Sequence, residues 1–167
     1  MKAVIQRVCD ANVKVNGEIT GSIARGLLIY LGVSASDTEK DADWLTEKII
    51  NLRIFNDAQG RMNHSILELI AAAGTDALDA AASETLPGVL LISQFTLLAD
   101  ARKGRRPYYG EAAPPEKANF LYNYLRQKII EQGLICEAGV FQSIMDVTYT
   151  NQGPVTIILD SKDIYTP

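Results

Sequence analysis

The segment of residues 26–33, GLLIYLGV, constrains the fold more than any other, because it is apolar at nearly every position. A strand whose two faces are both buried reads as such a continuous run. The segment is far shorter than the roughly 20 apolar residues of a membrane span, and no run elsewhere in the chain approaches that length. We therefore expect a central strand of a sheet here and no membrane partner.

Several further segments have strand patterns and must find places beside this central strand. Residues 3–8 and 11–15 alternate or run apolar, and Asn16-Gly17 follows them as a hairpin-turn signal. The remaining strand-like runs cover residues 88–100, 145–150 and 155–159. The last two flank Gly153-Pro154, a pair that fits a strand poorly because proline has no N–H to donate to a sheet.

Two segments have the periodicity of amphipathic helices. The first opens at a candidate capping box, Ser36 with Glu39, and is expected to run to about Arg53. The second begins near Pro114-Pro115 and ends before Gly133. Helical spacing predicts core positions for Ala42, Leu45, Ile49 and Leu52 in the first helix and for Ala118, Leu121, Leu125 and Ile129 in the second.

These elements predict the α+β class. Strands outnumber helices and do not alternate regularly with them, and 167 residues are most simply one domain. We expect a largely antiparallel sheet, curled toward or into a β-barrel, with two main helices. An alanine-rich stretch of about residues 69–87 has little amphipathic pattern, and we expect it to be an inserted loop or a short helix.

Composition excludes several classes of active site. Hydrophobic residues make up 47% and charged residues 22% of the chain, as in ordinary soluble globular proteins. One histidine, His64, and two distant cysteines, Cys9 and Cys136, cannot build a dense zinc cluster, and no Gly-rich phosphate loop is present. We therefore expect no metal and no cofactor, a surface role for His64, and reduced thiols in a cytoplasmic protein.

A first candidate site is the SQFTL segment, residues 93–97. Ser93, Gln94 and Thr96 interrupt an apolar strand, and polar groups buried without partners would cost free energy. They either face solvent at a strand end, or they place backbone N–H groups and a hydroxyl in a pocket there.

Two more candidates follow along the chain. Arg102, Lys103, Arg105 and Arg106 precede two tyrosines, and such a run is either a solvated loop or a contact for phosphates and bases of a single-stranded nucleic-acid end. The net charge of −4 means that any such binding rests on this local patch. Gly153-Pro154 in NQGPVT is either a simple turn or part of a site.

Taken in order, these motifs resemble those of the D-aminoacyl-tRNA deacylase family: SQFTL, a basic loop containing RP, a helix, and GPVT near the C-terminus. The segments MKAVIQRV, GEITGSIARGLLIYLGV, LRIFNDAQGRMN and FQSIMDV resemble the family too. Only about residues 69–87 depart from it, because this stretch is longer than the family's connection. The resemblance implies that residues 1–167 form a deacylase domain of a homodimeric α+β barrel. It also implies hydrolysis of the ester between a D-amino acid and the 3′-terminal adenosine of tRNA.

The resemblance also implies how L substrates are rejected. Gly153 and Pro154 match a pair whose peptide bond is cis in the family and which reaches from one subunit into the active site of the other. Its carbonyl oxygens would occupy the space that an L side chain needs, whereas glycyl-tRNA would still enter. Arg7 matches the arginine that supports this pair.

For catalysis, the resemblance points to Ser93, Gln94, Phe95 and Thr96, with the backbone N–H groups around Phe95 and Thr96 binding the oxyanion. The tRNA ribose 2′-hydroxyl would assist the attack, and no metal is needed. A nucleophilic role has been proposed for the threonine that Thr96 matches, but no neighbouring base is visible in the sequence, so a positioning role is favoured.

Two other classes remain open. Eukaryotic relatives have been linked to DNA-unwinding elements at replication origins, so a DNA-binding protein is the main alternative, and a small oligomeric scaffold is the other. The acidic net charge and the single short basic patch argue against long duplex contacts. If the deacylase hypothesis holds, Arg102, Lys103, Arg105 and Arg106 are expected to bind the acceptor end of tRNA.

Overall fold

The computed structural model describes residues 1–73 and 86–165. Most of its backbone belongs to one sheet and three helices. The strands are β1 (Lys2–Val15), β2 (Glu18–Gly32), β3 (Phe55–Asn56), β4 (Met62–His64), β5 (Gly88–Ser93), β6 (Cys136–Ala138) and β7 (Asp146–Asp160). The helices are α1 (Glu39–Asn51), α2 (Ile66–Ala73) and α3 (Pro115–Glu131), with 3-10 helices at Phe95–Leu98 and Ser161–Tyr165.

The main sheet has the order β6-β5-β2-β1-β7, so the apolar run of residues 26–33 does lie in the central strand, β2. Leu27, Leu28 and Ile29 are fully buried. They alternate between two apolar clusters, with Leu27 and Ile29 in the larger and Leu28 in the smaller. Alternate residues of a strand point to opposite faces, so both faces of β2 are covered, as the continuous apolar pattern predicts.

The sheet is mixed and open. β1 pairs antiparallel with both β2 and β7, as expected, but β2 with β5 and β5 with β6 are parallel pairs. The chain segment between β2 and β5 includes α1 and α2, and a long crossover of this kind returns the chain in a parallel direction. Within the described ranges β6 and β7 remain separate edges, so the expected closure into a barrel is not present in one chain.

The predicted hairpin turn is confirmed, and the two runs before it form one strand. Asn16 and Gly17 have φ of 52° and 85°, the left-handed conformations of a tight hairpin turn. Asp10, with φ of 52°, lies between Cys9 and Asn12, where the pairing of β1 with β7 shifts by one residue (Cys9 with Thr150, Asn12 with Thr148). This single-residue irregularity bends β1 without ending it, which is why the sequence reads as two runs.

The two main helices are confirmed, but α1 starts and ends differently from the prediction. Its N-cap is Thr38, whose N–H and hydroxyl both donate to Asp41 Oδ2 at 2.9 Å. The predicted box of Ser36 with Glu39 is therefore wrong by two residues, and the helix ends at Asn51 rather than Arg53. Ser36 instead lies 3.4 Å from the hydroxyl of Ser34. Along the described part of the chain, no helix is long and apolar enough to cross a membrane.

The helix α3 agrees closely with its prediction, and the predicted core faces are largely buried. Leu45 and Ile49 of α1 and Leu125 and Ile129 of α3 have no exposed surface, whereas Leu52 and Ala118 are only partly buried. The short helix α2 covers the start of the alanine-rich stretch. Residues 74–85, which make up most of the predicted insertion, lie outside the described residues.

Candidate active site

The SQFTL segment lies where the chain leaves the sheet. The strand β5 ends at Ser93, and a 3-10 helix follows at Phe95–Leu98, so the prediction of a strand through residue 100 is wrong. The N–H of Gln94 makes the last bond to β2, at 2.8 Å to the carbonyl of Leu31, and β2 itself ends one residue later. The chain therefore turns where its neighbour in the sheet ends, and this places the polar residues at a strand terminus.

Among the described residues, the hydrogen-bond partner of the Thr96 hydroxyl is an amide and not a general base. Thr96 Oγ1 accepts a hydrogen bond from Gln94 Nε2, and an amide NH₂ group can donate a hydrogen bond but cannot take up a proton. His64 lies on β4, where its Nδ1 is 3.6 Å from Glu68 Oε2. The first residues of a helix have no intrahelical acceptor for their N–H groups, so the N–H groups of Phe95 and Thr96 are the donors that this turn offers to a ligand.

A pocket of about 620 Å³ opens beside the turn. Its walls come from the end of β5, the start of α3 and the segment that precedes β7, and they include Ser93, Gln94, Phe95, Ala112, Tyr122, Phe141, Gln142 and Met145. The three SQFTL residues Ser93, Gln94 and Phe95 line the pocket, whereas Thr96 is exposed beside it. The lining is mostly apolar with a few convergent polar groups, which is the usual character of a small-molecule site.

Sequence patterns assigned no role to the residues of the opposite wall. Tyr122 donates from its hydroxyl to the carbonyl of Leu91 at 2.7 Å, and burial raises its pKa above the usual value. Gln142 adopts φ of 61°, a conformation uncommon for a residue with a side chain. The only sequence signal for Tyr122 is its helical spacing from Ala118, on the buried side of α3.

The basic residues lie on a loop of residues 101–107, called the basic loop below, that is fixed next to the pocket. Backbone bonds between Asp100 and Tyr108, at 2.8 and 2.9 Å, close the loop at its base. The ring of Tyr109 then packs edge-on against that of Phe95, with 5.1 Å between centroids. The structure thus packs the Tyr108-Tyr109 side of the basic loop toward SQFTL, through the contact of Tyr109 with Phe95.

The four basic side chains are not equivalent. Arg102 binds Asp100 through Nε at 2.9 Å and Nη2 at 2.6 Å, and this pairing lowers the pKa of Asp100 to about 2. The side chain of Arg102 thus helps to shape the loop. Lys103, Arg105 and Arg106 are exposed, and no hydrogen bond or ion pair of their side chains is found within residues 1–73 and 86–165.

The Gly-Pro pair lies within a single strand, β7, and disturbs its pairing with β1 only locally. The prediction of two strands is wrong, because β7 runs from Asp146 to Asp160. Val8 pairs with Asn151 and Gln6 with Thr156, so residues 152–155, called the Gly-Pro loop below, stand opposite Arg7 alone. The Gly153-Pro154 bond is cis. β7 is an edge strand, where a proline without an N–H is tolerated at a bulge.

Arg7 holds this loop from beneath. It is only 8% exposed, and its Nε donates to the carbonyl of Gln152 at 3.1 Å. Gly153 has φ of 126°, and a Cβ added to it would lie 2.8 Å from Arg7 Nη2 and 2.9 Å from Val155 Cγ2. Only glycine therefore fits at this position.

The loop is also closed across its base. Asn151 Oδ1 accepts the N–H of Val155 at 3.2 Å, and Asn151 Nδ2 donates to Thr156 Oγ1 at 3.0 Å. Gln6 on the neighbouring strand donates to the same hydroxyl at 3.1 Å. These bonds leave Gly153 and Pro154 projecting into solvent on a fixed support.

The structure does not bring the Gly-Pro loop to the pocket of its own chain. Ser93 pairs with Leu31, Leu31 with Ala3, and Ala3 with Leu159, so these residues share one level of the sheet. The loop lies at the level of Arg7, four residues from Ala3, or about 13 Å along the strands, and three strand spacings add about 14 Å across the sheet. Neither Gly153 nor Pro154 lines the pocket.

Comparison with known proteins places this chain in a family. The family model described as D-Tyr-tRNA(Tyr) deacylase matches residues 4–160. A D-aminoacyl-tRNA deacylase from Kosmotoga olearia is 51% identical over 162 residues, which are 97% of this chain and 98% of that protein. A protein of the same name from Thermosipho melanesiensis is 47% identical over 166 residues, covering 99% of this chain and 100% of that protein.

Two solved structures are similar as well. The "c-Myc DNA Unwinding Element Binding Protein" is 35% identical with a TM-score of 0.80, and the alignment covers 96% of this chain and 98% of the other. A probable eukaryotic D-amino acid tRNA deacylase is 14% identical with a TM-score of 0.73, covering 95% and 97%, and supports the fold alone. With the family model matched over nearly the whole chain and close relatives aligned almost end to end, this chain belongs to the D-Tyr-tRNA(Tyr) deacylase family.

Proposed function

We propose that this protein hydrolyses the ester bond of D-aminoacyl-tRNA and releases the free D-amino acid and the tRNA. The observation that carries the proposal is the pocket at the end of β5, which Ser93, Gln94 and Phe95 line in a chain of this family. The proposal extends to residues 1–167 as one deacylase domain, with about residues 69–87 as an insertion, and to the cytoplasm as its compartment.

In this proposal the enzyme catalyses the hydrolysis by stabilising a tetrahedral oxyanion, and no side chain forms a covalent intermediate. Water attacks the ester carbonyl, the N–H groups of Phe95 and Thr96 bind the oxyanion, and the 3′-oxygen of the terminal ribose leaves with a proton. The ribose 2′-hydroxyl assists the attack. The hydrogen bond from Gln94 fixes the Thr96 hydroxyl, so Thr96 positions this turn and is not the nucleophile.

Rejection of L substrates is proposed to come from a second copy of the chain. The Gly-Pro loop projects into solvent and lies far from its own pocket, as a group supplied to a partner would. The edge strand that carries it has exposed apolar surface, including Ile158 at 72%. In the homodimer, main-chain carbonyl oxygens of the loop fill the space of an L side chain, and glycyl-tRNA is accepted because glycine has no side chain to exclude.

The basic loop is proposed to hold the acceptor end of the tRNA. The packing of Tyr109, which follows the basic loop, against Phe95, which lines the pocket, supports this role for Lys103, Arg105 and Arg106. Phosphates of a single-stranded 3′ end that enters the pocket would pass these charges, and the exposed ring of Tyr108 offers a face for base stacking.

A second candidate function is DNA binding, because one of the similar solved structures is that of a DNA-unwinding-element binding protein. The net charge of −4 and the short basic loop favour contact with only a few phosphates over contact with a long DNA duplex. Equilibrium binding of a radiolabelled origin duplex and of uncharged tRNA, measured over a range of salt, distinguishes the two functions.

The direct test is deacylation of D-tyrosyl-tRNA and L-tyrosyl-tRNA prepared on the same tRNA. We expect rapid release of D-tyrosine and release of L-tyrosine near the spontaneous rate. Equal release of both amino acids, or of neither, would contradict the proposed function, and a preference for the DNA duplex over tRNA would support the alternative.

A further inference from the structure

Arg7 is fixed from the side opposite the Gly-Pro loop. Its Nη1 donates to the carbonyl of Ile54 at 2.7 Å and to Asn56 Oδ1 at 3.0 Å. Both acceptors are neutral, and within the described ranges no carboxylate forms an ion pair with Arg7. The orientation of this largely buried guanidinium therefore depends on hydrogen bonds to neutral oxygens, which are strengthened by the charge of the donor.

The hairpin that presents Asn56 is held firmly but separately from the main sheet. Strands β3 and β4 form a two-stranded sheet of their own. In the turn between them, Asp57 Oδ1 accepts the N–H groups of Gln59 and Arg61, both at 2.9 Å, and these bonds lower the pKa of Asp57. Arg53 binds Asn63 at 2.7 Å across the base of the hairpin. The Asn56 side chain is thus presented by a backbone with a defined geometry.

We propose that Asn56 is a positioning residue for stereoselectivity. Its amide oxygen, with the carbonyl of Ile54, sets the plane of the Arg7 guanidinium, and Arg7 then holds Gln152 and Gly153 at the height required to exclude L side chains. Without this acceptor, Nη1 has one fixed partner instead of two, and the guanidinium can rotate away from the Gln152 carbonyl. The inference rests on the proposed function, since it assigns a further residue to the same filter.

The test measures kcat/KM on D- and L-tyrosyl-tRNA for Asn56→Ala, Asn56→Asp, Arg7→Ala and the double variant Arg7→Ala/Asn56→Ala. Loss of one hydrogen bond to a charged group predicts a fall of about tenfold in the D/L ratio for Asn56→Ala. The fall should come from higher kcat/KM on the L substrate, with kcat on the D substrate nearly unchanged. Asn56→Asp keeps an acceptor oxygen and should retain the ratio of the unmodified protein.

Asn63→Ala is the matched control, because Asn63 lies on the same hairpin and bonds to Arg53 instead of Arg7. It should leave the ratio unchanged. If Asn56 acts through Arg7, the double variant should have the same ratio as Arg7→Ala alone, because the two effects are then not additive.

The outcomes separate this inference from the proposed function. A lower ratio in Arg7→Ala with an unchanged ratio in Asn56→Ala overturns the inference and leaves the filter standing. Additive effects, or equal losses on both substrates with a lower melting temperature, also overturn it, because they indicate a merely structural role. An unchanged ratio in Arg7→Ala contradicts the proposed filter itself.

Discussion

Individual side chains around Thr96 and Gly153 decide what chemistry this site can perform. The Thr96 hydroxyl has an amide donor as its neighbour, and Gly153 has a buried guanidinium directly beneath it. The sequence predicted both positions, and the roles of both still depend on the proposed function. The sequence could not predict the partners Asn56 and Asn151, because each acts through a contact that exists only after the strands have paired.

Replacement of Thr96 by alanine should reduce kcat by about 10- to 100-fold, the effect expected for a positioning residue. Loss of a true nucleophile would reduce kcat far more, by about 10⁴- to 10⁶-fold. The N–H donors of the turn remain in the variant, which is why activity persists. Single-turnover kinetics on D-tyrosyl-tRNA measures the effect, and circular dichroism controls for folding. An acyl-enzyme trapped at Thr96, or complete inactivity in a folded variant, would show instead that Thr96 is the nucleophile.

Replacement of Gly153 by alanine should lower the D/L ratio of kcat/KM. The added Cβ would lie 2.8 Å from Arg7 Nη2, and φ of 126° disfavours a side chain. Either the backbone of the Gly-Pro loop or the guanidinium that supports it must therefore shift, and both movements disturb the proposed filter. Steady-state deacylation of the two tyrosyl-tRNAs gives the ratio. An unchanged ratio would mean that the loop is only a turn.

At the scale of elements, the sequence located the long strands and the two main helices, but it missed the short strands β3, β4 and β6 and placed several ends incorrectly. The sequence predicts a strand up to residue 100, because polar and apolar residues are interspersed in SQFTL as in a strand, whereas β5 ends at Ser93. It predicts two strands around Gly153-Pro154, because a proline inside a strand usually ends it, whereas β7 is one strand. In both cases the pairing with a neighbouring strand decides the outcome. β5 ends at its last hydrogen bond to β2, at Leu31, and β7 continues because it pairs with β1 on both sides of Arg7.

The start of α1 gives a direct test of one corrected boundary. Thr38→Ala should lower the free energy of unfolding by about 1 kcal/mol, the usual effect of removing a helix cap. Ser36→Ala, at the cap that the sequence suggested, should change it by less than about 0.5 kcal/mol. Urea denaturation of the two variants measures the difference. The reverse order would restore Ser36 as the cap.

The basic loop makes a second prediction at this scale. Replacing Lys103, Arg105 and Arg106 by glutamine should raise KM and flatten its dependence on salt, by about 0.7 to 0.9 in log–log slope for each lost phosphate contact. Arg102→Gln should change the slope less, because Arg102 is bound to Asp100. Lys48→Gln on α1, where Lys48 lies over Trp44, is the control. An unchanged slope in the triple variant would make the loop an ordinary solvated surface.

At the scale of the whole molecule, the sequence predicted the α+β class and the central strand, but it did not predict the strand order. Parallel pairing of β2 with β5 depends on a crossover through α1 and α2, and β6 has three residues with little pattern of their own. The same strand order separates the pocket from the Gly-Pro loop. This separation is the reason that the proposed filter needs a second copy of the chain.

A mixed dimer tests that requirement most directly. One subunit carries Ala112→Phe, which adds a bulky ring to the wall of the pocket that Ala112 lines and is expected to block substrate binding, and the other carries Gly153→Ala. Each subunit has a different affinity tag, so that the mixed dimer can be purified. Its single open pocket then belongs to the subunit with the altered loop, while the intact loop belongs to the blocked subunit.

The measurement is the D/L ratio of kcat/KM for this mixed dimer on matched tyrosyl-tRNAs, compared with the unmodified protein and with the Gly153→Ala homodimer. If the loop of one subunit serves the pocket of the other, the mixed dimer should have the high ratio of the unmodified protein. A ratio equal to that of the Gly153→Ala homodimer would contradict the cross-subunit filter, because each pocket would then depend on the loop of its own chain.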